Sequence, residues 1–121
     1  MRAALLAIAA VLAASAAAAA TTPTSGLRGI VVRGPVTPVC RVDRPCDEPA
    51  AHYTLVFSRA SRIVARTRTG ADGRFRIALH PGRYVVRTTR TGFERRVTPD
   101  RVTVPTRRYA RVTFRIDTGI R

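Results

Sequence analysis

Cys40, Cys46, His52, His80 and the acids Asp43, Asp47 and Glu48 are the side chains in this sequence best suited to chemistry. Five of the seven fall in one stretch, GPVTPVCRVDRPCDEP, residues 34–49. Zinc sites favour cysteines two to four residues apart and closely spaced histidines. Here five residues separate the cysteines and the histidines lie far from each other, so zinc fits poorly. The pair is not the C-x-x-C of a redox centre either. The three acids could hold calcium together with backbone carbonyls. More often such acids are solvated or pair with neighbours, here Arg41 and Arg44. In an oxidising compartment a Cys40–Cys46 disulfide is the ordinary outcome, and a proline-rich, turn-forming loop brings the two within bonding reach.

The N-terminus points to such a compartment. Met1-Arg2 is followed by an apolar run, Ala3–Leu12, and by small residues, Ser15–Ala20. A positive start, an apolar middle and an A-x-A-like tail make a secretory signal peptide, residues 1–20, cut near Ala20–Thr21. The alternative is an uncleaved anchor, since the run approaches a bilayer's thickness. Weakly hydrophobic alanine and the small-residue tail favour cleavage, and no later stretch is apolar enough to span a membrane. The expected product is a secreted domain of roughly a hundred residues, whose thin core benefits from a cross-link.

Catalytic patterns are missing. There is no G-x-S-x-G, and Ser, His and Asp show no motif spacing. No cofactor is implied. Charge is the stronger signal: all 22 basic residues of the 121 are arginine, and the formal net charge is +15. A surface that positive attracts polyanions. Aromatic residues are only 6% of the chain, too few for the base-stacking platforms of single-strand nucleic-acid binders, and export also argues against a nucleic-acid partner.

The elements that position these residues read as strands. Residues 21–26 are a flexible lead-in, and LRGIVVRG (27–34) opens a domain running over 27–121. HYTLVFSR (52–59) and RIVARTRT (62–69) are spaced as a hairpin. RFRIAL (74–79) alternates, with Phe75, Ile77 and Leu79 inward; RYVVRTTR (83–90) does the same with Tyr84, Val86 and Thr88. TGFERRVTPD (91–100) is a polar connection, RVTVP (101–105) a short strand, and RRYARVTFRI (107–116) the last strand. Period-2 patterning with turns every 8–12 residues predicts an all-β, two-layer sandwich of about seven strands, with a closed barrel as the alternative. The outward positions collect arginine: Arg74, Arg76, Arg83, Arg87, Arg101, Arg107, Arg111 and Arg115. If the 74–90 hairpin and the last strand share a sheet, these arginines form one positive plate, with Tyr109 the lone outward aromatic.

The central run TRTGADGRFRIALHPGRYVV resembles the carboxypeptidase regulatory-like domains, whose signature is a glycine-bearing first strand, then T-x-x-D-G-x-F, then L-x-P-G-x-Y-x-V. The matching residues are Gly29, then Thr69, Asp72, Gly73 and Phe75, then Leu79, Pro81, Gly82, Tyr84 and Val86. The resemblance implies a Greek-key sandwich of the transthyretin (prealbumin-like) type, with antiparallel or mixed strands. It also makes these motif residues structural. Gly73 and Gly82 serve tight reversals, Pro81 presets a turn, Asp72 bonds backbone N–H groups in its own turn, and Phe75 and Tyr84 fill the core. The Cys-x5-Cys loop and the C-terminal DTGIR resemble small exported bacterial members. An enzyme branch of this sandwich type, the hydroxyisourate hydrolases, carries a histidine in its first strand and a Tyr-Arg-Gly-Ser tail, neither of which is present. The expectation is therefore an exported accessory or interaction module that binds acidic envelope polymers or an envelope protein through loops or the arginine plate. A small transthyretin-type hydrolase is the alternative.

Overall fold

A computed structural model describes residues 23–121; the expected signal peptide and the first two lead-in residues lie outside the described residues. The described part is all-β. Its strands are β1 (Gly26–Gly34), β2 (Glu48–Pro49), β3 (Thr54–Arg59), β4 (Arg62–Arg68), β5 (Arg74–Ala78), β6 (Gly82–Thr88), β7 (Arg96–Val104) and β8 (Tyr109–Asp117), with a 3-10 turn at Gly92–Arg95.

The strands make two layers. In the first, β1 is central: β8 runs parallel along one side, and β5 and β2 pair antiparallel with its other side. In the second the order is β4-β3-β6-β7, all antiparallel. β7 closes one side of the sandwich by belonging to both layers. Its start pairs with β8 at Val97↔Ile116 and Thr98↔Arg115, and its end pairs with β6 from Val85↔Arg101 to Gly82↔Val104. Between them the ladder slips, and Pro99, which has no N–H to donate, sits in that irregular stretch. This is the mixed, curled β-sandwich expected for a prealbumin-like fold.

The expected polar connection over 91–100 is shorter than the sequence suggested, because Arg96–Asp100 is already strand. Val97 explains it: alone among polar neighbours it is 2% exposed and anchors the strand's start to the core. The lead-in also ends earlier. Gly26 is a strand residue and Ser25 is buried, its hydroxyl donating to the Leu79 carbonyl at 2.6 Å while Leu79 N–H returns a bond to Ser25 at 3.0 Å.

The core takes every second residue from both layers: Leu27, Val31, Phe75, Ile77, Phe114 and Ile116 from the first, Leu55, Phe57, Tyr84, Val86 and Val104 from the second. The Phe75 and Phe114 rings meet at 5.5 Å between centroids. Each such side chain contributes about 1.5–3 kcal/mol of burial. The β4–β5 turn is tied down by backbone: Val31 N–H donates to Gly73 O, and Ala50 N–H to Val31 O, both at 2.8 Å. Gly73 is required there twice over, since its φ is +77° and a Cβ would reach the Val31 carbonyl at 2.5 Å. In the same turn Asp72 Oδ1 accepts from Arg74 N–H at 3.0 Å. After Pro81 the chain enters β6 at Gly82, and the buried Tyr84 hydroxyl donates to His80 O at 2.6 Å.

Candidate functional site

The expected single plate of arginines is two plates. β5 and β6 follow each other through a tight turn, yet β5 pairs with β1 and β6 with β3 and β7, so they lie in opposite layers. Arg74, Arg76, Arg111 and Arg115 therefore face out from the first layer, and Arg83 and Arg87 from the second. Arg107 belongs to neither. It sits in the β7–β8 turn with φ +59°, because the last strand starts at Tyr109 rather than at residue 107.

On the first plate the register does something the sequence did not disclose. Arg28 of β1 is paired with Arg76 of β5 on one side and with Arg111 of β8 on the other. Paired residues on neighbouring strands project to the same side, about 4.8 Å apart between strands. All three side chains are exposed, and among the described residues none has a carboxylate within ion-pair distance. One row along, Arg74 and Thr113 flank Ile30 in the same manner. Together with Gly29 and Phe75 these residues line a shallow depression of about 490 Å³. At its border the Arg76 guanidinium lies over the Tyr109 ring, 4.1 Å from the centroid, a cation–π contact that steadies a long side chain. Arg28 was missed because the first strand was read for its glycine and its apolar residues; the signal available was its place two residues from Ile30, on the solvent face.

The second plate carries Arg66 and Arg68 on β4, Arg83 and Arg87 on β6, and Arg96 and Arg101 on β7. Arg59, Arg83 and Arg101 border a depression of about 460 Å³ floored by Ser58, Val85 and Thr103. Among the described residues, Arg87 is the one strand arginine here with an acid within ion-pair distance, Asp100 at 3.8 Å.

The loop of residues 35–47 is closed by a Cys40–Cys46 disulfide with Cα atoms 5.3 Å apart. Val36 N–H donates to Cys46 O at 2.8 Å, and Thr118 fastens the loop's start through Gly34 O and Pro35 O. Two of the three acids weighed for calcium are directed elsewhere. Asp47 pairs with Arg115 and Glu48 with Arg33, not with Arg41 and Arg44, because β1 and β8 run parallel and deliver Arg33 and Arg115 to the loop's base. Among the described residues no group of three His, Cys, Asp or Glu is arranged to hold a metal.

At the same end of the sandwich a second cluster forms, also unseen in the sequence. Arg33 bonds Glu94 at 3.0 Å as well as Glu48, and the Tyr53 hydroxyl donates to the same Glu94 oxygen at 2.9 Å. Arg90 covers the Tyr53 ring at 4.4 Å. Burial alone would raise the Glu94 pKa, but the hydrogen bonds from Arg33 and Tyr53 outweigh it and hold the carboxyl below its ordinary range. Burial, with the bond to Glu94, pushes the Tyr53 hydroxyl up, and Arg33 is held protonated more firmly still, chiefly by Glu94. Glu94, the Tyr53 hydroxyl and the Arg33 terminal nitrogens are spent on one another, while Arg33 Nε is buried without a partner among the described residues. The cluster clamps the 3-10 turn to β1 and β2.

Compared with known proteins, residues 40–117 match the carboxypeptidase regulatory-like domain family. No curated protein matches the chain. Among solved structures, the chain is similar to GBS52, the minor pilin of Streptococcus agalactiae, at 17% identity and a TM-score of 0.50, over 77% of this chain and 44% of that one. The chain thus aligns with less than half of GBS52. It is also similar to the N-terminal domain of the shaft pilin spaA from Lactobacillus rhamnosus GG, at 12% identity and a TM-score of 0.49, over 79% and 97% of the two chains. A third likeness is to Klebsiella pneumoniae 5-hydroxyisourate hydrolase, at 22% identity and a TM-score of 0.45, over 78% and 91%. Likeness at these identities concerns the fold.

Proposed function

The chain belongs to the carboxypeptidase regulatory-like domain family, and from that premise we propose that it is an exported, non-enzymatic binding module whose first-layer face takes linear anionic polymers. The observation behind this reading is the Arg76–Arg28–Arg111 row: three arginines in register on three adjacent strands, none of them neutralised by an acid among the described residues. Like charges set directly opposite cost stability, and a ligand with repeating negative charge removes that cost while gaining paired, charge-assisted hydrogen bonds. A linear polymer suits the row better than a flat lipid surface, since the outward neighbours Ile30 and Thr113 offer little apolar surface to insert. Phosphate and carboxylate polymers share the required chemistry.

The hydrolase reading has less support. Arg33, Glu94 and Tyr53 do converge, but His52 and His80 make no contribution to their hydrogen bonds. Export is part of the same proposal, supported by the N-terminal composition and by the disulfide. Mass spectrometry of the exported protein should find a new N-terminus between residues 17 and 23, and an intact Met1 on exported protein would count against it.

The test of binding is a titration with linear inorganic polyphosphate, with poly-L-glutamate and phosphatidylglycerol vesicles as comparison arms. Affinity should fall on the order of tenfold or more between 50 and 300 mM salt. At the first-layer face the combined Arg28→Gln, Arg76→Gln and Arg111→Gln variant should lose a similar factor, while the lysine versions retain part of it. Binding confined to the vesicles would replace the polymer by a lipid surface, and binding indifferent to salt and to the row would overturn the reading.

A further inference from the structure

The two arginine plates lie on opposite outer faces of one small sandwich, and we infer that a single domain engages two polymer strands at once, one on each face, and so cross-bridges them. The inference rests on the polymer-binding reading above and extends it to a second site. The first plate is the Arg76–Arg28–Arg111 row with Arg74 beside it. The second is built differently. Its arginines alternate with small or β-branched residues, as in the register Ile63–Ser58–Val85–Arg101 across β4, β3, β6 and β7. Arg83, paired with Thr103, stands next to Arg101 along the strands, and Arg59 reaches in from the end of β3.

The Arg59 guanidinium lies against the start of β6, where a Cβ at Gly82 would come within 3.0 Å of it. The same guanidinium sits 5.8 Å from the centre of the Tyr84 ring. Arg59, Arg83 and Arg101 thus border one concavity, and among the described residues none of the three has an acidic partner. The positions of a fixed fork and a hydroxyl-bearing floor, Ser58 and Thr103, suit an oxyanion as well as the first plate does.

The distance between the plates decides whether both can be filled together. Packed sheets lie about 10 Å apart, and an arginine stem on either side puts the two charge planes roughly 20 Å from each other. That exceeds the screening length of about 8 Å at physiological ionic strength. Polymer on one face therefore repels polymer on the other only weakly. Four acids, Asp47, Glu48, Glu94 and Asp117, gather at the end of the sandwich where β1 and β8 finish. Asp72 pairs with Arg74 beside the first row and Asp100 with Arg87 on the second plate, so the Arg76–Arg28–Arg111 row and the Arg59, Arg83 and Arg101 set keep their charge.

The experiment mixes two populations of long-chain polyphosphate, labelled with donor and acceptor fluorophores, and adds protein below saturation. The parent domain should bring the labels into energy transfer while sedimenting as a monomer in polymer-free buffer. Two variants separate the faces: Arg28→Gln with Arg76→Gln and Arg111→Gln on the first, and Arg59→Gln with Arg83→Gln and Arg101→Gln on the second. Each should still bind a single labelled polymer, with about half the polymer-binding stoichiometry of the parent, and each should lose the transfer signal. Circular dichroism confirms that both remain folded, and lysine versions of either set should restore bridging. Parent protein that binds polymer without transfer overturns the two-faced inference and leaves the polymer reading standing. Transfer that survives in both single-face variants also overturns it, since bridging then comes from elsewhere. Absence of any binding overturns the polymer reading itself, and the bridging with it.

Discussion

Arg28 and Arg33 stand on the same strand, five residues apart, in opposite electrostatic surroundings. Arg33 is half-buried at the strand's end and divides its guanidinium between Glu48 and Glu94, with Tyr53 completing the set. Arg28 is exposed at mid-strand between two further arginines, and no acid reaches it among the described residues. One residue type thus serves as a structural tie in one place and as uncompensated charge in another. The difference follows from where the fold puts its few acids. With seven acids against 22 arginines, most arginines go unpaired, and four of the acids, Asp47, Glu48, Glu94 and Asp117, are paired with arginine at the end of the sandwich where β1 and β8 finish. That end is therefore interlocked by ion pairs, and the faces remain positive.

If that contrast holds, the largest effect on stability comes from breaking the tie. Glu94→Ala removes a carboxylate that accepts from both Arg33 and Tyr53, leaving Arg33 with Glu48 alone. A loss of about 2–3 kcal/mol in urea unfolding is expected for hydrogen bonds to charged, half-buried groups. Polyphosphate affinity should stay the same. A stable Glu94→Ala protein that binds poorly would reverse the roles assigned to the two regions. The pH profile carries the same signature. Because the native state holds the Glu94 carboxyl below its ordinary range, the unfolded chain takes up the proton first. The cluster's contribution is then complete above about pH 4–5 and is lost as pH falls through the lowered native value. Tyr53, raised in the native state, is stabilising up to the ordinary tyrosine range near pH 10, and that contribution is lost as pH rises through its higher native value. Replacing Glu94 should flatten the acid limb measured by thermal unfolding between about pH 2 and 5.

A slightly smaller effect belongs to the disulfide. Replacing Cys40 and Cys46 by serine should cost about 2 kcal/mol, the loop-closure value for so short a ring. The sandwich should remain folded, since the loop adds no residue between Gly34 and Asp47 to the core. The loop also holds Asp47 against Arg115, at the edge of the first plate. Freed from that pairing, Arg115 adds one more positive charge to the face, so the serine variant should bind polyphosphate slightly more tightly as it becomes less stable. A serine variant that loses both stability and affinity would mean that the loop, rather than the plate, carries the binding.

Much of this arrangement was legible in the sequence, and what was not has a common cause. Alternation in 74–79 and 83–90 showed which side chains face the core, and Phe75, Ile77, Tyr84 and Val86 are buried. Alternation is blind to which layer a strand joins, because inward residues of both layers face the same core. Alternation therefore assigns the arginines of β5 and β6 to one plate. Register is equally invisible locally: nothing in LRGIVVRG announces that Arg28 is aligned with Arg76 and Arg111, residues 48 and 83 positions away in the chain. The Arg33–Glu94–Tyr53 cluster was hidden for the same reason, its members coming from three distant segments. The disulfide was readable because its two partners lie in one short loop.

The smallest effect is the one that most directly opposes Arg28 to Arg33. Three like charges in one row repel, and relieving the central one removes two adjacent repulsions at once. Arg28→Gln should therefore stabilise the polymer-free domain by about 0.5 kcal/mol at low ionic strength. The gain should disappear near 1 M salt, where the screening length shrinks to about 3 Å. Arg33→Gln should do the opposite at both salt concentrations, because its partners are half-buried and poorly screened. Thermal unfolding of the two variants at 10 mM and 1 M sodium chloride provides the comparison. If Arg28→Gln is destabilising at both salts, the Arg28 stem is packing across the strand as much as carrying charge. The row would then be part of the scaffold, and the distinction between tied and free arginines would have to be redrawn around Arg76 and Arg111.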